Sequence, residues 1–411
     1  MVQSLRYCLK QKVFWIYTIL ALLAVVKQCW NESVLIDSQE YFKKAQHLFD
    51  HWDLENVPQN RILEPIRRTI GYPIFIKLFN HSHLLLIVFQ LIVSLFIPLI
   101  LHRVIQKFNY FSNLWEYSMI ALFSYPLQFY YTGFAMPEIL VQATLLLWVL
   151  FYFEGHWRLL PVFSSILILL KPVFLVFLLF PLVLFFLKRY KPTVLDFLPL
   201  VVYLFFSAMN YKHYRVFEYS SVGYTNAYDY NRKKFLIQKF QNDSFVDQLY
   251  DREYATDIKE NQNNWPKLIG FLKAKTTPIL TDPLYWWIHF KGLIATFIDP
   301  GRYDAMVFLN WNKSQGFMGV NDGNIKSKRP LFEWIYIIFF LGLSILKLFG
   351  AFIAVYHWRR YFVFVFFTFL VILFAFIAGP VGSARYLLPF YPMMAFLSAM
   401  GFSTLVKKRD L

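Results

Sequence analysis

The chain has 411 residues, of which 58% are hydrophobic, 21% aromatic and only 16% charged, and its mean hydropathy is +0.43. Soluble globular proteins carry roughly 25% charged residues, so this composition excludes that class and indicates a polytopic membrane protein. The formal net charge is +16, but the basic residues cluster beside apolar runs and form no nucleic-acid motif. A nucleic-acid partner is therefore excluded too.

Apolar runs near the roughly 20 residues that cross a bilayer recur along the chain. In chain order they predict spans at 13–30, 83–101, 114–131, 137–153, 194–210, 331–355, 361–379 and 386–406. The run 159–187 is too long for one span, and Lys171-Pro172 divides it. Proline removes a backbone donor and a lysine needs water or a partner, so we expect two short helices that meet there.

The basic residues of the connections support counting 159–187 as two spans. With the N-terminus in the cytoplasm, that count puts the basic connections on the cytoplasmic side, whereas one span would invert everything after residue 190. The sequence therefore predicts an all-α polytopic protein with about ten transmembrane helices and both termini cytoplasmic. We expect one membrane domain over 1–411, in the cytoplasmic membrane, with two long outer segments, 31–82 and 211–330, that carry interfacial helices.

The first outer segment begins with a helical pattern from Ser38 to Trp52. Its apolar residues, which include Tyr41 and Ala45, share one face, so we expect a helix that lies in the membrane surface with its aromatic face down. Asp37 then stands at the N-cap or in the first turn, a position that aspartate also takes for capping alone. A second surface piece, about 62–80, leads back to the next span.

Asp37 and the pair Arg67-Arg68 give this segment its chemistry. A carboxylate at the membrane–water boundary suits a general base that removes a proton from a hydroxyl group. Nearby guanidinium groups suit a phosphate that must leave with negative charge. Together these residues indicate sugar transfer from a lipid phosphate.

The second outer segment is polar and rich in tyrosine. Its middle, about 231–277, has helical spacing with many charges, and 283–298 is an aromatic stretch too short to cross the membrane. We expect the latter to be interfacial or re-entrant. Aromatic and polar side chains suit sugar binding, but the segment does not identify the acceptor.

Four short motifs carry a resemblance to a known family. Asp37 with Tyr41 and Ala45, followed by Arg68-Thr69-Ile70-Gly71-Tyr72-Pro73, resembles the first periplasmic loop of the GT-C superfamily of integral-membrane glycosyltransferases. The likeness is to bacterial relatives of the protein O-mannosyltransferases and of the lipid A aminoarabinose transferases. Three other places agree: Met136-Pro137-Glu138, Asp299-Pro300-Gly301-Arg302 after His289 and Lys291, and Gly379-Pro380 with Arg385-Tyr386-Leu387-Leu388-Pro389-Phe390-Tyr391-Pro392.

The resemblance implies a polyprenyl-phosphate sugar as donor and an acceptor hydroxyl on a lipid, glycan or protein. Direct displacement would invert the anomeric centre at the outer face of the membrane. Asp37 is the expected general base and Glu138 a second catalytic carboxylate. The expected donor-phosphate ligands are Arg67, Arg68, Lys171 and Arg385, and the expected substrate-binding residues are Tyr41, Tyr72, His289, Lys291 and Arg302.

The chain departs from the family pattern at Ser38, where many members carry a second acidic residue. A divalent ion prefers more than one hard oxygen ligand from the protein, so this departure favours a metal-independent mechanism without a cofactor. Glu138 remains the one carboxylate that could complete a metal site.

Each candidate also has a purely structural interpretation. Lys171 could extend from a helix break to water, Arg385 could anchor a span at the interface, and Glu138 could be a first-turn charge. His289 lies in an aromatic belt, and Asp299 before Pro300-Gly301 is typical of a turn.

Two other functions are alternatives, the first because it shares the many spans and buried cations and the second because it shares a large outer loop. They are a flippase or transporter of a lipid-linked saccharide and a polysaccharide polymerase or ligase. Transporters more often show paired interrupted helices in two related halves, whereas this sequence has one obvious break and no repeat.

Overall fold

The computed structural model describes residues 2–30, 35–47, 66–108, 113–180, 193–261, 264–299, 301–309, 331–358, 362–381 and 383–409. Over these residues the chain is helical and contains no strand, which confirms the all-α class. The α-helices are α1 (Val2–Lys10), α2 (Lys12–Trp30), α3 (Ile36–His47), α4 (Gly71–Leu78), α5 (His83–Ile105), α6 (Leu114–Phe123), α7 (Leu127–Gly133), α8 (Glu138–Glu154), α9 (Leu160–Leu170), α10 (Leu198–Tyr214), α11 (Val222–Asn226), α12 (Lys233–Phe240), α13 (Asp243–Glu253), α14 (Lys259–Asn261), α15 (Trp265–Thr276), α16 (Pro283–Ile298), α17 (Arg302–Leu309), α18 (Leu331–Trp358), α19 (Phe362–Ile377) and α20 (Tyr391–Arg409).

Shorter 3₁₀ and π segments connect or extend several of these helices. The 3₁₀ helices are Trp157–Leu159, Pro172–Leu179, Val194–Phe197, Thr277–Thr281, Gly379–Val381 and Ala384–Phe390, and the π-helices are Ala227–Arg232 and Tyr254–Ile258.

Five helical stretches of the described chain are long and apolar enough to cross a membrane. They are Lys12–Trp30, His83–Ile105, Val194–Tyr214, Trp334–Trp358 and Arg385–Val406. A sixth is present if α7 and α8, bent by 116° at their junction, count as one broken span. The other apolar helices at predicted positions are only 10–17 residues long, so the number ten stays a prediction.

Two of the predicted segments contain a break. The predicted span 114–131 is not one helix, because α6 ends at Phe123 and α7 begins after Pro126. At Lys171 the backbone is extended (φ −147°, ψ 129°), between the end of α9 and the 3₁₀ helix Pro172–Leu179. This confirms the predicted interruption there, whereas the basic connection over 181–192 lies outside the described residues.

Helix α8 occupies the centre of the bundle. It is apolar around its whole circumference, the pattern of a helix packed on all sides, and Ile139, Trp148 and Val149 are fully buried. Its neighbours are α5, α9, α7 and α20 together with the 3₁₀ helix Ala384–Phe390. The N-terminus of α8 therefore presents Glu138 to the interior of the protein.

The first outer helix corrects one expectation. Asp37 does lie in the first turn of α3, but Tyr41 and Ala45 are buried in the protein core instead of facing lipid. The reason is that α4 packs against α3, and the rings of Tyr41 and Tyr72 meet edge to face at 5.1 Å. The end of the predicted helix, including Trp52, falls outside the described residues.

The second long segment contains helices α11 to α15, of which α12 to α15 lie in the part, about 231–277, whose spacing predicted helices. Tyr228, Val246, Tyr250, Leu268 and Leu272 form a small core of their own. This core is attached to the first outer segment, because Ser220 donates a hydrogen bond to the Arg67 carbonyl oxygen at 2.6 Å. The two outer segments thus meet beside the Arg67-Arg68 pair.

Candidate active site

Seven charged side chains from five separate stretches of sequence form a continuous chain of ion pairs. Its order is Lys171, Glu138, Arg385, Asp37, Arg68, Glu40 and Arg67. Six of the seven, all except Glu40, were expected from the sequence to bind the donor phosphate or to act as catalytic carboxylates. We call this set the ion-pair chain.

Asp37 lies at the middle of the ion-pair chain with both carboxylate oxygens occupied. Arg68 Nη2 donates to Oδ1 at 2.6 Å, and Arg385 Nη2 donates to Oδ2. Burial by itself raises the pKa of Asp37, but Arg385, Arg68 and Arg67 together hold that pKa well below its usual range. Asp37 is therefore ionised, and two guanidinium groups share its charge.

Glu138 is completely buried and pairs with two cations. Lys171 Nζ donates to Glu138 Oε1 at 2.9 Å, and Arg385 Nε lies 3.7 Å from the same oxygen. The other oxygen, Oε2, has no hydrogen-bond partner in the described part of the chain. A buried carboxylate with one unoccupied oxygen is costly, and such groups occur preferentially at functional sites.

The segment that carries the two arginines is fastened to the end of α9. Thr69 Oγ1 donates to the Leu170 carbonyl oxygen at 3.0 Å, one residue before Lys171. Gly71 lies so close to α9 that a Cβ atom there would be 2.5 Å from the Leu169 carbonyl oxygen. Glycine is therefore required at 71, and the close contact sets the Arg68 side chain beside Asp37.

Tyr41 contacts Arg68, and Tyr72 packs against Tyr41. The Arg68 guanidinium lies 5.1 Å from the centre of the Tyr41 ring, and the Tyr72 hydroxyl donates to Gln90 Oε1 at 2.6 Å. Both tyrosines are buried, at 4% and 0% exposure. In the structure both tyrosines make contacts within the protein, and their expected contact with a substrate stays a prediction.

The described contacts of His289 and Lys291 lie outside the ion-pair chain. His289 Nε2 is 2.6 Å from the Phe376 carbonyl oxygen on α19, and Lys291 is exposed, 5.1 Å above the ring of Trp287. Of Arg302 only the backbone is described, at the start of α17. Asp299 accepts a hydrogen bond from the Gly301 N–H at 3.0 Å, which is the turn geometry that its sequence indicates.

Two charged residues near Asp37 were missed by the sequence analysis. Glu40 accepts from Arg68 Nε at 2.7 Å and from Arg67 Nη1 at 3.3 Å. Lys44 donates to the carbonyl oxygen of Arg68. The spacing in the sequence could have predicted both residues. Asp37, Glu40 and Lys44 stand at positions i, i+3 and i+7 and therefore share one face of α3.

Asp304 is a third residue that the sequence analysis missed. It is 2% exposed, and it accepts a hydrogen bond from the Tyr131 hydroxyl at 2.9 Å. Burial raises its pKa to about 7, an effect that Arg385 and the Tyr131 hydrogen bond partly offset. No residue pattern marks it, because its environment is built by α7, which lies far away in sequence.

The ion-pair chain carries an excess of positive charge. It contains four cations and three carboxylates, and Lys44 adds a further positive charge at its edge. Guanidinium groups that converge from different elements are suited to hold phosphate oxygens. In the part of the chain that is described, no group of three or more histidine, cysteine or carboxylate side chains is arranged to hold a metal ion.

A separate cleft, partly open to its surroundings, lies between the α6–α7 turn and helices α16, α18 and α20. Tyr125, Asp299, Phe340 and Tyr391 are among its lining residues. No member of the ion-pair chain lines it, so we assign the chemistry to the ion-pair chain and not to this cleft.

Known proteins offer no match from which a function could be transferred to this chain. No protein-family model, no curated protein and no solved structure matches this chain. Function is therefore argued from the arrangement of specific side chains.

Proposed function

We propose that this protein is a membrane glycosyltransferase with a GT-C-like mechanism. It transfers a sugar from a polyprenyl-phosphate donor to an acceptor hydroxyl group at the outer face of the cytoplasmic membrane. Asp37 is the general base, and Arg68, Arg385 and Lys171 bind the donor phosphate. The lipid tail of the donor remains in the bilayer during the reaction.

The observation that carries this proposal is the pairing of Asp37 with both Arg68 and Arg385. The three residues lie in three separate stretches of sequence, and Glu138 and Lys171 extend the same network from two more. Convergence of ionisable groups in a buried location is costly, and it is typical of active sites. A base beside phosphate-binding cations is the combination that transfer from a sugar phosphate requires.

The proposed step is a direct displacement at the anomeric carbon. The acceptor oxygen forms a bond to that carbon while its proton passes to the Asp37 carboxylate. The bond between the anomeric carbon and the phosphate oxygen breaks, and its electron pair stays on the phosphate. The phosphate thereby changes from a singly charged diester to a monoester with up to two negative charges, which the arginines stabilise.

General-base catalysis of this kind contributes roughly 10²–10⁴-fold, and one preorganised donor to the developing charge contributes roughly 3–4 kcal/mol. Asp37 and its two arginines are therefore each expected to have large effects on rate. A purely structural ion-pair network would affect stability alone.

One observation favours the rival function, a transporter of a lipid-linked saccharide. The chain is broken twice near the site, at the 116° bend between α7 and α8 and at Lys171, and the residues at these breaks, Glu138 and Lys171, pair with each other. Interrupted helices whose ends face a common site are typical of secondary transporters.

Product analysis distinguishes these functions. The purified protein is reconstituted into vesicles with a mixture of polyprenyl-phosphate hexoses and pentoses and a cell-envelope extract as acceptor. A glycosyltransferase releases polyprenyl monophosphate and produces glycosylated acceptor, both detected by mass spectrometry. A transporter moves the intact donor to the other leaflet with its sugar–phosphate bond unbroken, and that result would replace the proposal. Release of polyprenyl diphosphate from a diphosphate-linked glycan would instead indicate a polymerase or ligase.

A further inference from the structure

The proposed function gives Arg68 and Arg385 two tasks that conflict. Both are assigned to the donor phosphate, yet each donates to one oxygen of Asp37. A carboxylate whose two oxygens are held by guanidinium groups is a weak proton acceptor, because protonation breaks favourable charge interactions. While Asp37 holds the Nη2 groups of both arginines, these groups are not available to a phosphate and Asp37 itself is a poor base.

We propose that the site works by ion-pair exchange, in which a phosphate monoester or diester displaces the Asp37 carboxylate from Arg68 and Arg385. The proposal rests on the function given above, and it assigns Asp37 a second role as a competitor for the phosphate site. Without donor, the base is masked by the two arginines. With donor bound, the phosphate occupies the arginines and Asp37 becomes able to accept a proton.

The surrounding residues are arranged to let the arginines change partner without becoming unpaired. Arg68 Nε stays on Glu40 Oε2 at 2.7 Å while its Nη2 is the atom that contacts Asp37. Arg385 Nε lies 3.7 Å from Glu138 Oε1 while its Nη2 contacts Asp37. Each guanidinium thus has its Nε beside a buried glutamate and its Nη2 on Asp37, and only the Nη2 contact has to exchange.

Exchange also provides a route for product release. During transfer the proton moves from the acceptor hydroxyl to Asp37, which becomes neutral, and the phosphate gains a negative charge. At that point the arginines hold the product and Asp37 no longer competes. When Asp37 loses the proton to water, its carboxylate competes for the arginines again and the lipid phosphate is displaced. A variant without this carboxylate is expected to retain the product.

Direct binding measurements test the exchange independently of sugar transfer. The probe is farnesyl phosphate, titrated at pH 8 into the full-length protein in nanodiscs, with farnesol as the uncharged reference. Asp37→Asn keeps the side-chain size and removes the competing charge, so we expect farnesyl phosphate to bind at least about tenfold more tightly, the equivalent of roughly one charge-assisted hydrogen bond. Farnesol binding is expected to stay unchanged.

The matched control is Asp304→Asn. It removes another buried carboxylate near Arg385, but in the described part of the chain no arginine contacts Asp304. We expect it to change phosphate affinity less than about threefold, since a charge without direct contact acts weakly through the effective dielectric. Equal tightening in both variants would show a general charge effect and would overturn the exchange.

A double-mutant cycle keeps the test decisive if Asp37→Asn alters the fold. Arg68→Gln is expected to weaken farnesyl phosphate binding at least about tenfold. The gain in affinity from Asp37→Asn should be clearly smaller in the Arg68→Gln protein than in the parent. Unchanged or weaker binding in Asp37→Asn, or full additivity of the two substitutions, contradicts the exchange. Both results leave the glycosyltransferase proposal standing, because sugar transfer is measured separately.

Discussion

Arg385 donates a hydrogen bond to Asp37 across 348 residues of sequence, and this contact joins the 3₁₀ helix Ala384–Phe390 to helix α3. Nε of the same arginine lies 3.7 Å from Glu138 Oε1. Among the described residues of the ion-pair chain, Arg385 is the one that pairs with both Asp37 and Glu138. Arg385 is therefore the residue through which the two halves of the ion-pair chain are coupled.

The buried pair of Lys171 and Glu138 gives the first prediction. Lys171→Met leaves the fully buried Glu138 without its nearest cation, and we expect the free energy of unfolding to fall by about 3 kcal/mol. Lys171→Met combined with Glu138→Gln removes both charges and should be more stable than Lys171→Met alone. Denaturant unfolding in detergent measures both, and a double variant less stable than the single one would contradict this account.

Asp304 gives a prediction about pH. Its pKa is raised from 3.8 in the unfolded chain to about 7, because burial opposes its ionisation among Tyr131, Arg385, Asp299 and Glu138. The unfolded state therefore releases this proton first, and the free energy of unfolding falls as the pH rises from about 4 to 7. The full effect of such a shift is about 4 kcal/mol.

Asp304→Asn removes this dependence, and the asparagine can still accept the Tyr131 hydrogen bond. Thermal unfolding from pH 5 to pH 8 should therefore show a falling stability in the parent and a flatter profile in the variant, which becomes the more stable protein at pH 8. Parallel profiles would mean that Asp304 is ionised throughout. The range from pH 5 to pH 8 lies above the pKa of Asp37 in the unfolded chain, 3.8, and above its lowered pKa in the folded protein, so Asp37 adds no slope there.

Gly71 gives a prediction about the position of the arginine pair. A methyl group in Gly71→Ala would meet the Leu169 backbone at 2.5 Å, so α4 and the Arg67-Arg68 segment must move away from α9. We expect lower stability and weaker farnesyl phosphate binding. The control is Gly270→Ala in α15, where a Cβ meets nothing within 4 Å and the helix gains up to about 1 kcal/mol. Normal farnesyl phosphate binding by Gly71→Ala would contradict the claim that the position of the Arg67-Arg68 segment determines phosphate binding.

The topology of the chain in the membrane gives a further prediction. We expect Ser244 on the outer face and residue 190 in the cytoplasm, as the positive-inside pattern requires. Cys29 is exposed and is replaced by serine first; Ser244→Cys and Tyr190→Cys are then labelled from each side with an impermeant reagent. Labelling of position 190 from outside would overturn the assignment of 159–187 to two membrane segments.

The sequence predicted the helical class, the interruption at Lys171 and the identity of the main ion-pair residues, because each of these has a local signal. Apolar length, a Lys-Pro pair in an apolar run, and charges beside a span are all visible in a short window. The roles of these residues in the reaction remain predictions.

Contacts that depend on tertiary packing could not be predicted in this way. Tyr41 and Ala45 looked like a lipid-facing stripe because protein core and lipid select the same apolar side chains. Asp304 carried no signal, since its burial is created by Tyr131 and its neighbours on α7. The break between α6 and α7 was missed because Pro126 lies within an apolar run that is long enough for one span.

The most direct test of the central claim is the rate of sugar transfer by Asp37→Asn in vesicles, compared with the parent protein at equal amounts of folded protein. The account predicts that the variant binds polyprenyl phosphate at least as tightly as the parent but transfers sugar at least about 10²-fold more slowly, since the proton acceptor is lost. Transfer at the parental rate would contradict the role of Asp37 as the base.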